Sequence, residues 1–286
     1  MAVWRLGDRS LSFPPPQAAG IVNVTDHSFY EGARSGTPER AIEDGMRLVE
    51  AGFDLLDVGA VPARSGPAVD ADDEAGRLVP AIEGLVARSG VPVLADTSSA
   101  EVAAGAIAAG AAAINDISGG SDPDLLAAVG SADAGYVLMH IEGPPRVDRD
   151  PPAYDDPVEH MLRWFGERIE DAVAAGIDEE RIVLDPGLDF DLSVGDDLEV
   201  MHRLGELRAL GRPLFVALSR KDFLGAVVAG SWERRADASA RGAATLAATA
   251  LAVAEGAEVL RLHDAEALDA MRTAAAVVGD DAAAPT

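Results

Sequence analysis

The chain has 286 residues and a formal net charge of −26 at pH 7. This acidity excludes a surface for nucleic acid or anionic membranes, because such surfaces need clustered Lys and Arg. The absence of cysteine excludes disulfides, thiolate catalysis and cysteine metal sites. No apolar run approaches the ~20 residues that span a bilayer, and the N-terminus lacks a basic-then-apolar signal pattern, so we expect a soluble cytoplasmic protein.

Short apolar runs alternate with longer Ala- and Leu-rich amphipathic stretches along the whole sequence, a pattern typical of repeated βα units. The short runs predict strands, in chain order, over residues 20–24, 55–59, 91–96, 113–116, 136–140, 182–185, 214–218 and 259–263. The longer stretches predict helices over residues 38–51, 73–88, 100–109, 122–129, 157–175, 195–209, 238–255 and 265–278. Several of these helices are followed by a glycine, the residue that most often ends a helix.

The two ends of the chain differ from this pattern. A polar start and three prolines at positions 14–16 predict a short N-terminal extension over residues 1–18, and residues 280–286 are predicted to form a flexible tail. No linker divides the rest, so we expect a single domain. Its eight βα units in one continuous run favour a closed (β/α)₈ TIM barrel over an open doubly wound sheet.

Polar side chains close the predicted strands, which is where the active site of such a barrel lies. Any one of them is more often a turn or helix-capping residue. A full ring of them is harder to explain in that way and indicates a site. The ring consists of Asn23, Asp57, Asp96, Asn115, Asp116, His140, Asp185, Ser219, Arg220, Lys221, Arg261, His263 and Asp264.

The chemistry of this ring favours a flat polar ligand. Carboxylates and amides at adjacent strand ends match the donor and acceptor edge of a heterocycle, and each buried group left unpaired would cost ~1–3 kcal/mol. Lys221, Arg261 and His263 follow the last two strands, on the side of such barrels that often holds phosphate. Lys221 is the only lysine, either by chance or because the position requires a compact ammonium. The ring predicts a heterocycle that carries phosphate.

The strand-end segments also form a recognisable series. They are Gly20-Ile-Val-Asn-Val-Thr25, Ser28-Phe29, Asp57-Val-Gly59, Asp96-Thr97, Ile114-Asn-Asp-Ile-Ser-Gly-Gly120, Leu138-Met-His140, Asp185-Pro-Gly187, Ser219-Arg-Lys221 and Arg261-Leu-His-Asp264. In these motifs, in the same order and over nearly its whole length, the chain resembles the dihydropteroate synthase family. The Asn-Asp-Ile-Ser-Gly-Gly and Ser-Arg-Lys segments together make the resemblance quite specific.

The resemblance implies a transferase of folate biosynthesis. Such an enzyme joins 6-hydroxymethyl-7,8-dihydropterin pyrophosphate to p-aminobenzoate, releases pyrophosphate and 7,8-dihydropteroate, and acts as a homodimer with Mg²⁺. By the same resemblance, the pterin is bound by Asp96, Asn115, Met139, Asp185, Lys221 and Arg261. The p-aminobenzoate pocket contains Phe29, Phe190 and Ser219. Catalytic roles fall to Lys221, Arg261, His263 and Arg64, and Asn23 is the ligand of Mg²⁺.

The sequence departs from the family pattern in three loops. Asn23-Val-Thr-Asp-His-Ser-Phe29 lacks the Pro and the acid of the usual Asn-Val-Thr-Pro-Asp-Ser-Phe, and Val61-Pro-Ala-Arg-Ser-Gly66 retains only Arg64 and the final Gly of Glu-Ser-Thr-Arg-Pro-Gly. After the sixth strand, Asp189-Phe-Asp-Leu192 stands where Gly-Phe-Gly-Lys is usual. These changes predict altered handling of p-aminobenzoate over an intact pterin site.

Two other functions are compatible with a pterin-binding barrel. One is a methyltransferase of the methyltetrahydrofolate-corrinoid type, against which the Ser219-Arg-Lys221 segment and the aromatic pair argue. The other is a non-catalytic paralogue that binds pterin without condensing it, which the altered loops would allow.

Overall fold

Eight parallel strands form the centre of the fold in the computed structural model, which describes residues 2–24, 36–63, 69–147 and 149–279. Within these residues the strands are β1 (Ala2–Leu6), β2 (Arg9–Phe13), β3 (Gln17–Asn23), β4 (Leu55–Gly59), β5 (Val93–Asp96), β6 (Ala113–Asp116), β7 (Gly135–Met139), β8 (Ile182–Asp185), β9 (Phe215–Ala217) and β10 (Val259–Leu262). The parallel sheet runs in the order β8-β7-β6-β5-β4-β3-β10-β9. A bridge between Leu184 and Leu214 joins its two ends. The sheet is therefore a nearly closed barrel, which confirms the predicted fold class.

Helices alternate with these strands. They are α1 (Pro38–Ala51), α2 (Ala71–Ser89), α3 (Ala100–Ala108), α4 (Pro123–Gly130), α5 (Pro157–Ala174), α6 (Val194–His202), α7 (Asp222–Ala229), α8 (Gly242–Ala254) and α9 (Ala265–Val278). Their starts follow local chemistry: Asp156 accepts hydrogen bonds from two backbone N–H groups at the start of α5, and Ser193 forms a capping box with Asp196 at α6. None of the helices in the described ranges is long and apolar enough to cross a membrane.

The predicted helices differ from the observed ones in two ways. The stretch 195–209 is divided at Arg203 into α6 and a 3-10 segment, Leu204–Leu210, and the stretch 238–255 begins with another 3-10 segment, Ala238–Arg241. Helix α7 was not predicted at all. It has eight residues, Asp-Phe-Leu-Gly-Ala-Val-Val-Ala, and is too short and too uniformly apolar to show a helical period.

The predicted N-terminal extension contains a structured hairpin. β1 and β2 pair antiparallel. Trp4, Leu6 and Phe13 are buried in one cluster with one residue from each of the eight barrel strands: Ala19, Leu55, Leu94, Ala113, Val137, Val183, Phe215 and Val259. The Trp4 indole N–H donates to the carbonyl of Arg181 at 2.8 Å. The hairpin therefore covers the amino-terminal end of the barrel. Positions 17 and 18 belong to β3 rather than to an extension.

A second core layer lies between the strands and the helices. It includes Leu56 of β4, Ile82 of α2 and Phe165 of α5, all fully buried. Because both faces of each strand are covered in this way, the strands are apolar along most of their length, and their polar side chains lie mainly toward the carboxyl ends. The fold thus leaves one end of the barrel for chemistry.

Candidate active site

Arg261 of β10 organises the polar side chains at the carboxyl ends of the strands. Its Nε donates to Asp57 Oδ2, and its Nη2 donates to Asp96 Oδ2 at 2.8 Å. Asn115 Nδ2 donates to the same Asp57 oxygen at 3.0 Å. Residues that are up to 204 positions apart in sequence thus form one network across four strands. Within the described residues, Asp57 Oδ1 and Asn115 Oδ1 are buried and have no hydrogen-bond partner.

Burial sets the protonation of this network. Burial raises the pKa of Asp96 to about 7, with the Arg261 charge lowering it and the neighbouring Asp57 raising it. For Arg261 itself, burial acts to lower the pKa, but the carboxylates of Asp57 and Asp96 hold it above its ordinary value. Arg261 therefore stays cationic while Asp96 exchanges its proton near neutral pH. The carboxylates balance the charge of Arg261, so the network can accept hydrogen bonds from a ligand and has no net positive charge.

Asp185 ends β8 on the same side of the barrel. Its Oδ1 accepts the backbone N–H of Gly187 at 2.9 Å. Gly187 has φ +67°, and a Cβ there would lie 2.1 Å from the carbonyl oxygen of His140, so only glycine fits the turn. Burial raises the pKa of Asp185 to about 6, although Lys221 acts in the opposite direction. A buried carboxylate with so few partners is suited to accept hydrogen bonds from a ligand.

Lys221 lies between the loop after β8 and the start of α7. Its Nζ donates to the carbonyl of Leu188 at 2.8 Å and lies 4.4 Å from the centroid of the Phe190 ring. Asp189, with φ +70°, accepts the backbone N–H groups of the two residues that follow Lys221. The departure from the family pattern at position 189 thus ties this loop to α7 and helps position the lysine.

The other residues of the Ser-Arg-Lys segment have different partners. Ser219 Oγ is 3.0 Å from Nδ1 of His263. Arg220, with φ +57°, donates to Asp264 at 2.8 Å, and this ion pair joins the segment to α9. Burial, followed by the charges of Arg261 and Arg220, lowers the pKa of His263 to about 3. His263 is therefore a neutral hydrogen-bonding group, and the cationic character expected of it falls to Lys221 and Arg261.

The Asn-Asp-Ile-Ser-Gly-Gly segment divides into two roles. Asn115 belongs to the network described above, whereas Asp116 accepts hydrogen bonds from the backbone N–H groups of Ser118 and Gly120 at 2.8 and 3.0 Å and from the Tyr136 hydroxyl at 2.7 Å. Asp116 thus shapes the turn after β6, as a strand-end acid commonly does.

An apolar wall adjoins the polar network. Ile117, Met139 and Ile141 form a buried cluster, and Ala63 and Phe190 pack against it. A cavity of about 420 Å³ lies beside this wall. Its lining comprises Val61, Pro62, Val69, Ala71, Glu74, Asp96, Thr97, Ser98, Ser99, Ile117, Pro145, Arg146 and Val147. A flat molecule at this end of the barrel would therefore meet an apolar face and a polar edge.

Most of the residues predicted from the sequence lie around this end of the barrel. Asn23 ends β3 and pairs in register with Gly59. Phe29 and Arg64, as well as the tail 280–286, lie outside the described residues. The sequence assigned no specific role to Asp57, although an acid within the otherwise apolar strand β4 was a signal. It also missed Glu74, whose buried carboxylate accepts from the Thr97 hydroxyl at 2.6 Å; in the first turn of α2 it reads as an ordinary helix-start acid.

Comparison with known proteins matches both the fold and the site. A sequence model of the family described as pterin binding enzyme matches residues 19–263. The chain is 33% identical over 271 residues, 94% of each chain, to dihydropteroate synthase of Escherichia coli K12. Xanthomonas albilineans dihydropteroate synthase in complex with 7,8-dihydropteroate superposes with a TM-score of 0.83 at 36% identity over 100% of both chains. The same enzyme with 4-aminobenzoic acid gives 0.83 and 37% over 100% of both. The chain therefore belongs to the pterin-binding enzyme family, together with the dihydropteroate synthases.

Proposed function

We propose that this chain is a dihydropteroate synthase, a transferase that condenses 6-hydroxymethyl-7,8-dihydropterin pyrophosphate with p-aminobenzoate in folate biosynthesis. The observation that carries the proposal is the site itself: buried acceptor groups of Asp57, Asn115 and Asp185 lie at one end of the barrel, together with the apolar cluster around Met139. This combination suits a pterin, which is flat and has an edge rich in N–H donors. The family relationship supports the same substrate.

The pterin edge is assigned to the acceptors. Asp185 would accept two hydrogen bonds from the amino-pyrimidine edge, with Asp96 and Asn115 at neighbouring donors and Met139 against the ring face. Each buried acceptor that gains a donor in this way removes a desolvation penalty of ~1–3 kcal/mol. A neutral His or an apolar residue at position 185 would forfeit the charge-assisted part of this recognition.

The reaction needs positioning and charge stabilisation rather than a protein nucleophile. The bond between the pterin methylene carbon and the pyrophosphate oxygen breaks, and pyrophosphate leaves with the bonding electrons. The arylamine nitrogen then forms the new C–N bond and releases a proton. Lys221 and Arg261 stabilise the departing anion, and the carboxylates around Arg261 favour the positive charge that develops on the methylene. His263 contributes a hydrogen bond to the anion, and Arg64 a further cation.

The second substrate is assigned to the loop side of the site. Phe190 would pack against the p-aminobenzoate ring. The Lys221 ammonium is close by, 4.4 Å from the centroid of the Phe190 ring. Phe29 would form the opposite wall, and Ser219 would donate to the carboxylate. Because the first two of the three departing loops lack the usual Pro and Thr, we expect a raised apparent KM for p-aminobenzoate with an intact chemical step.

The family also implies Mg²⁺, and Asn23 fits such an ion. Its side-chain amide offers a hard oxygen at the carboxyl end of β3, and Mg²⁺ is usually held by one or two protein oxygens together with substrate phosphates. Bound there, Mg²⁺ would neutralise charge on the pyrophosphate. We further propose a cytoplasmic homodimer, which light scattering of the purified protein would test.

Turnover by the purified protein tests the proposal. With Mg²⁺, the pterin pyrophosphate and p-aminobenzoate, we expect release of pyrophosphate and formation of 7,8-dihydropteroate. A coupled assay measures the pyrophosphate, and chromatography measures the dihydropteroate. Pterin binding with neither product would identify a non-catalytic paralogue. Methyl transfer from methyltetrahydrofolate to a corrinoid, without condensation, would replace the proposal by the methyltransferase function.

A further inference from the structure

Three side chains with metal-ligating atoms lie together on the side of β7 that faces helix α5. His140 directly follows β7, Glu142 lies two residues later, and His160 is in the first turns of α5. The ligand atoms of all three lie within 4.8 Å of one another. Glu142 Oε1 is 3.3 Å from His140 Nε2 and also contacts His160 Nε2. None of these residues has a role in the proposed reaction.

The buried histidine is the most informative member of this cluster. His140 is 0% exposed. Among the described residues, neither ring nitrogen has a hydrogen bond of good geometry, although Glu142 Oε1 lies 3.3 Å from Nε2. Its ring packs against Trp164 of α5 at 4.9 Å between centroids, so it lies among the helices rather than at the mouth of the barrel. A buried imidazole in such surroundings is suited to bind a metal ion, for which histidine is the commonest protein ligand.

We propose that His140, Glu142 and His160 bind a divalent transition-metal ion, with Zn²⁺ as the best fit. Two imidazole nitrogens and one carboxylate oxygen form a donor set that Zn²⁺ accepts in tetrahedral geometry, with a water as fourth ligand. Mg²⁺ fits poorly, because it prefers oxygen donors in octahedral geometry. The side chains of His160 and Glu142 are 32% and 28% exposed, which gives the ion a path from solvent.

The surrounding contacts place the three ligands on segments that are already linked. The backbone N–H of Glu142 donates to Asp191 Oδ2 at 2.9 Å, and Asp191 also forms an ion pair with Arg149. A metal ion would therefore join the segment after β7 to α5 and, through Asp191, to the loop after β8. The site is separate from the proposed pterin site, because Met139 packs in the apolar cluster at the barrel mouth whereas His140 packs against α5. The expected consequence of binding is that the ion links these segments and stabilises the folded chain.

Zinc titration of the full chain tests this proposal without an activity assay. EDTA-treated protein is titrated with ZnCl₂ by calorimetry, with excess MgCl₂ present to occupy sites built from oxygen ligands alone. We expect one site with a Kd of about 1 µM or tighter and a rise in Tm when it fills. His160→Gln and Glu142→Gln change partly exposed side chains and should fold. Each should weaken Zn²⁺ binding by more than the ~100-fold seen for lost supporting contacts at metal sites.

The exposed His202 of α6 supplies the matched control, since His202→Gln removes an imidazole elsewhere and should leave both the affinity and the Tm rise unchanged. X-ray absorption at the zinc edge should show two imidazole ligands. Absence of Zn²⁺ binding by the unmodified protein would overturn the proposal. So would affinities in the two cluster variants equal to that of His202→Gln, or an absorption spectrum with oxygen ligands alone.

Discussion

Replacing Asp185 with Asn separates pterin recognition from folding, because the buried carboxylate strengthens pterin binding but destabilises the folded chain. Asn keeps the shape and the acceptor for the Gly187 N–H, which donates to Asp185 Oδ1 at 2.9 Å. It loses the charge that strengthens hydrogen bonds to the pterin edge. Hydrogen bonds to a charged group contribute ~1.5–3 kcal/mol, so affinity for a pterin should fall roughly 10- to 150-fold at pH 7. Calorimetry with 6-hydroxymethylpterin, in the absence of p-aminobenzoate, measures this fall in affinity.

The pH dependence of that ratio gives a sharper result. With the Asp185 pKa at about 6, the carboxylate is almost fully ionised at pH 7 but about nine-tenths protonated at pH 5, which reduces its affinity for donors by about tenfold. The affinity ratio of unmodified protein to Asp185→Asn should therefore shrink by about tenfold between pH 7 and pH 5. Comparing the two proteins cancels contributions from Asp96, which both retain.

The folding stability of Asp185→Asn should rise, whereas its pterin affinity falls. Because burial raises the folded-state pKa to about 6 from ~3.9 in the unfolded chain, the folded protein binds the proton more tightly. Its contribution to stability is fully present below pH ~3.9 and is lost as pH rises through about 6. Asp185→Asn avoids this loss, so its free energy of unfolding at pH 7 should rise by up to roughly 3 kcal/mol, and by about half as much at pH 5.

Urea unfolding measures this difference in the free energy of unfolding. Asp171 is exposed, and the control variant Asp171→Asn should change neither the pterin affinity nor the free energy of unfolding. Unchanged pterin affinity in Asp185→Asn, or an affinity ratio that is constant from pH 5 to pH 7, would refute the assignment of the recognition edge. A less stable variant at pH 7 would refute the claim that the carboxylate is held in its site at the expense of folding.

Three further predictions concern single side chains. Lys221→Arg should lower kcat/KM by roughly 100-fold or more in steady-state assays. A planar guanidinium does not fit a site where the ammonium lies 2.8 Å from a carbonyl oxygen and 4.4 Å from a ring centroid. Near-normal turnover would mean that the position does not require lysine. Gly187→Ala should lower the Tm far more than Gly211→Ala, since both glycines have positive φ but only at position 187 would the new Cβ meet backbone, at 2.1 Å; equal effects would contradict this. Trp4→Ala should cost ~3–5 kcal/mol of stability in urea unfolding, whereas the 43% exposed Trp232 should tolerate the same change.

The sequence by itself determined the barrel. Six of the eight predicted barrel strands match the observed bounds to within one residue at each end or better, among them Leu55–Gly59, Ala113–Asp116 and Ile182–Asp185. Such strands are covered on both faces, so each is a short apolar run that ends in a polar residue, and both signals are local. Helices α1 and α9 have the predicted bounds because a proline or an Asp cap marks the first turn.

What the sequence could not determine depends on neighbours distant along the chain. Arg261 meets Asp57 and Asp96 only because β10, β4 and β5 end together, and this meeting brings the pKa of Asp96 to about 7. The neutrality of His263 likewise follows from burial beside two guanidinium groups. Protonation depends on desolvation and on charges a few ångströms away, which no local pattern records.

The N-terminal hairpin shows the same limit at the level of packing. Residues 2–13 are polar enough to suggest an extension, and Trp4 reads as one apolar residue among several. It is buried because the hairpin covers the amino-terminal end of the barrel, where the side chains of Leu55, Val137 and Phe215 would otherwise be without a cover. Local sequence thus decides which segments form strands and helices, whereas closure of the barrel decides which side chains meet, and with them the charge and shape of the site.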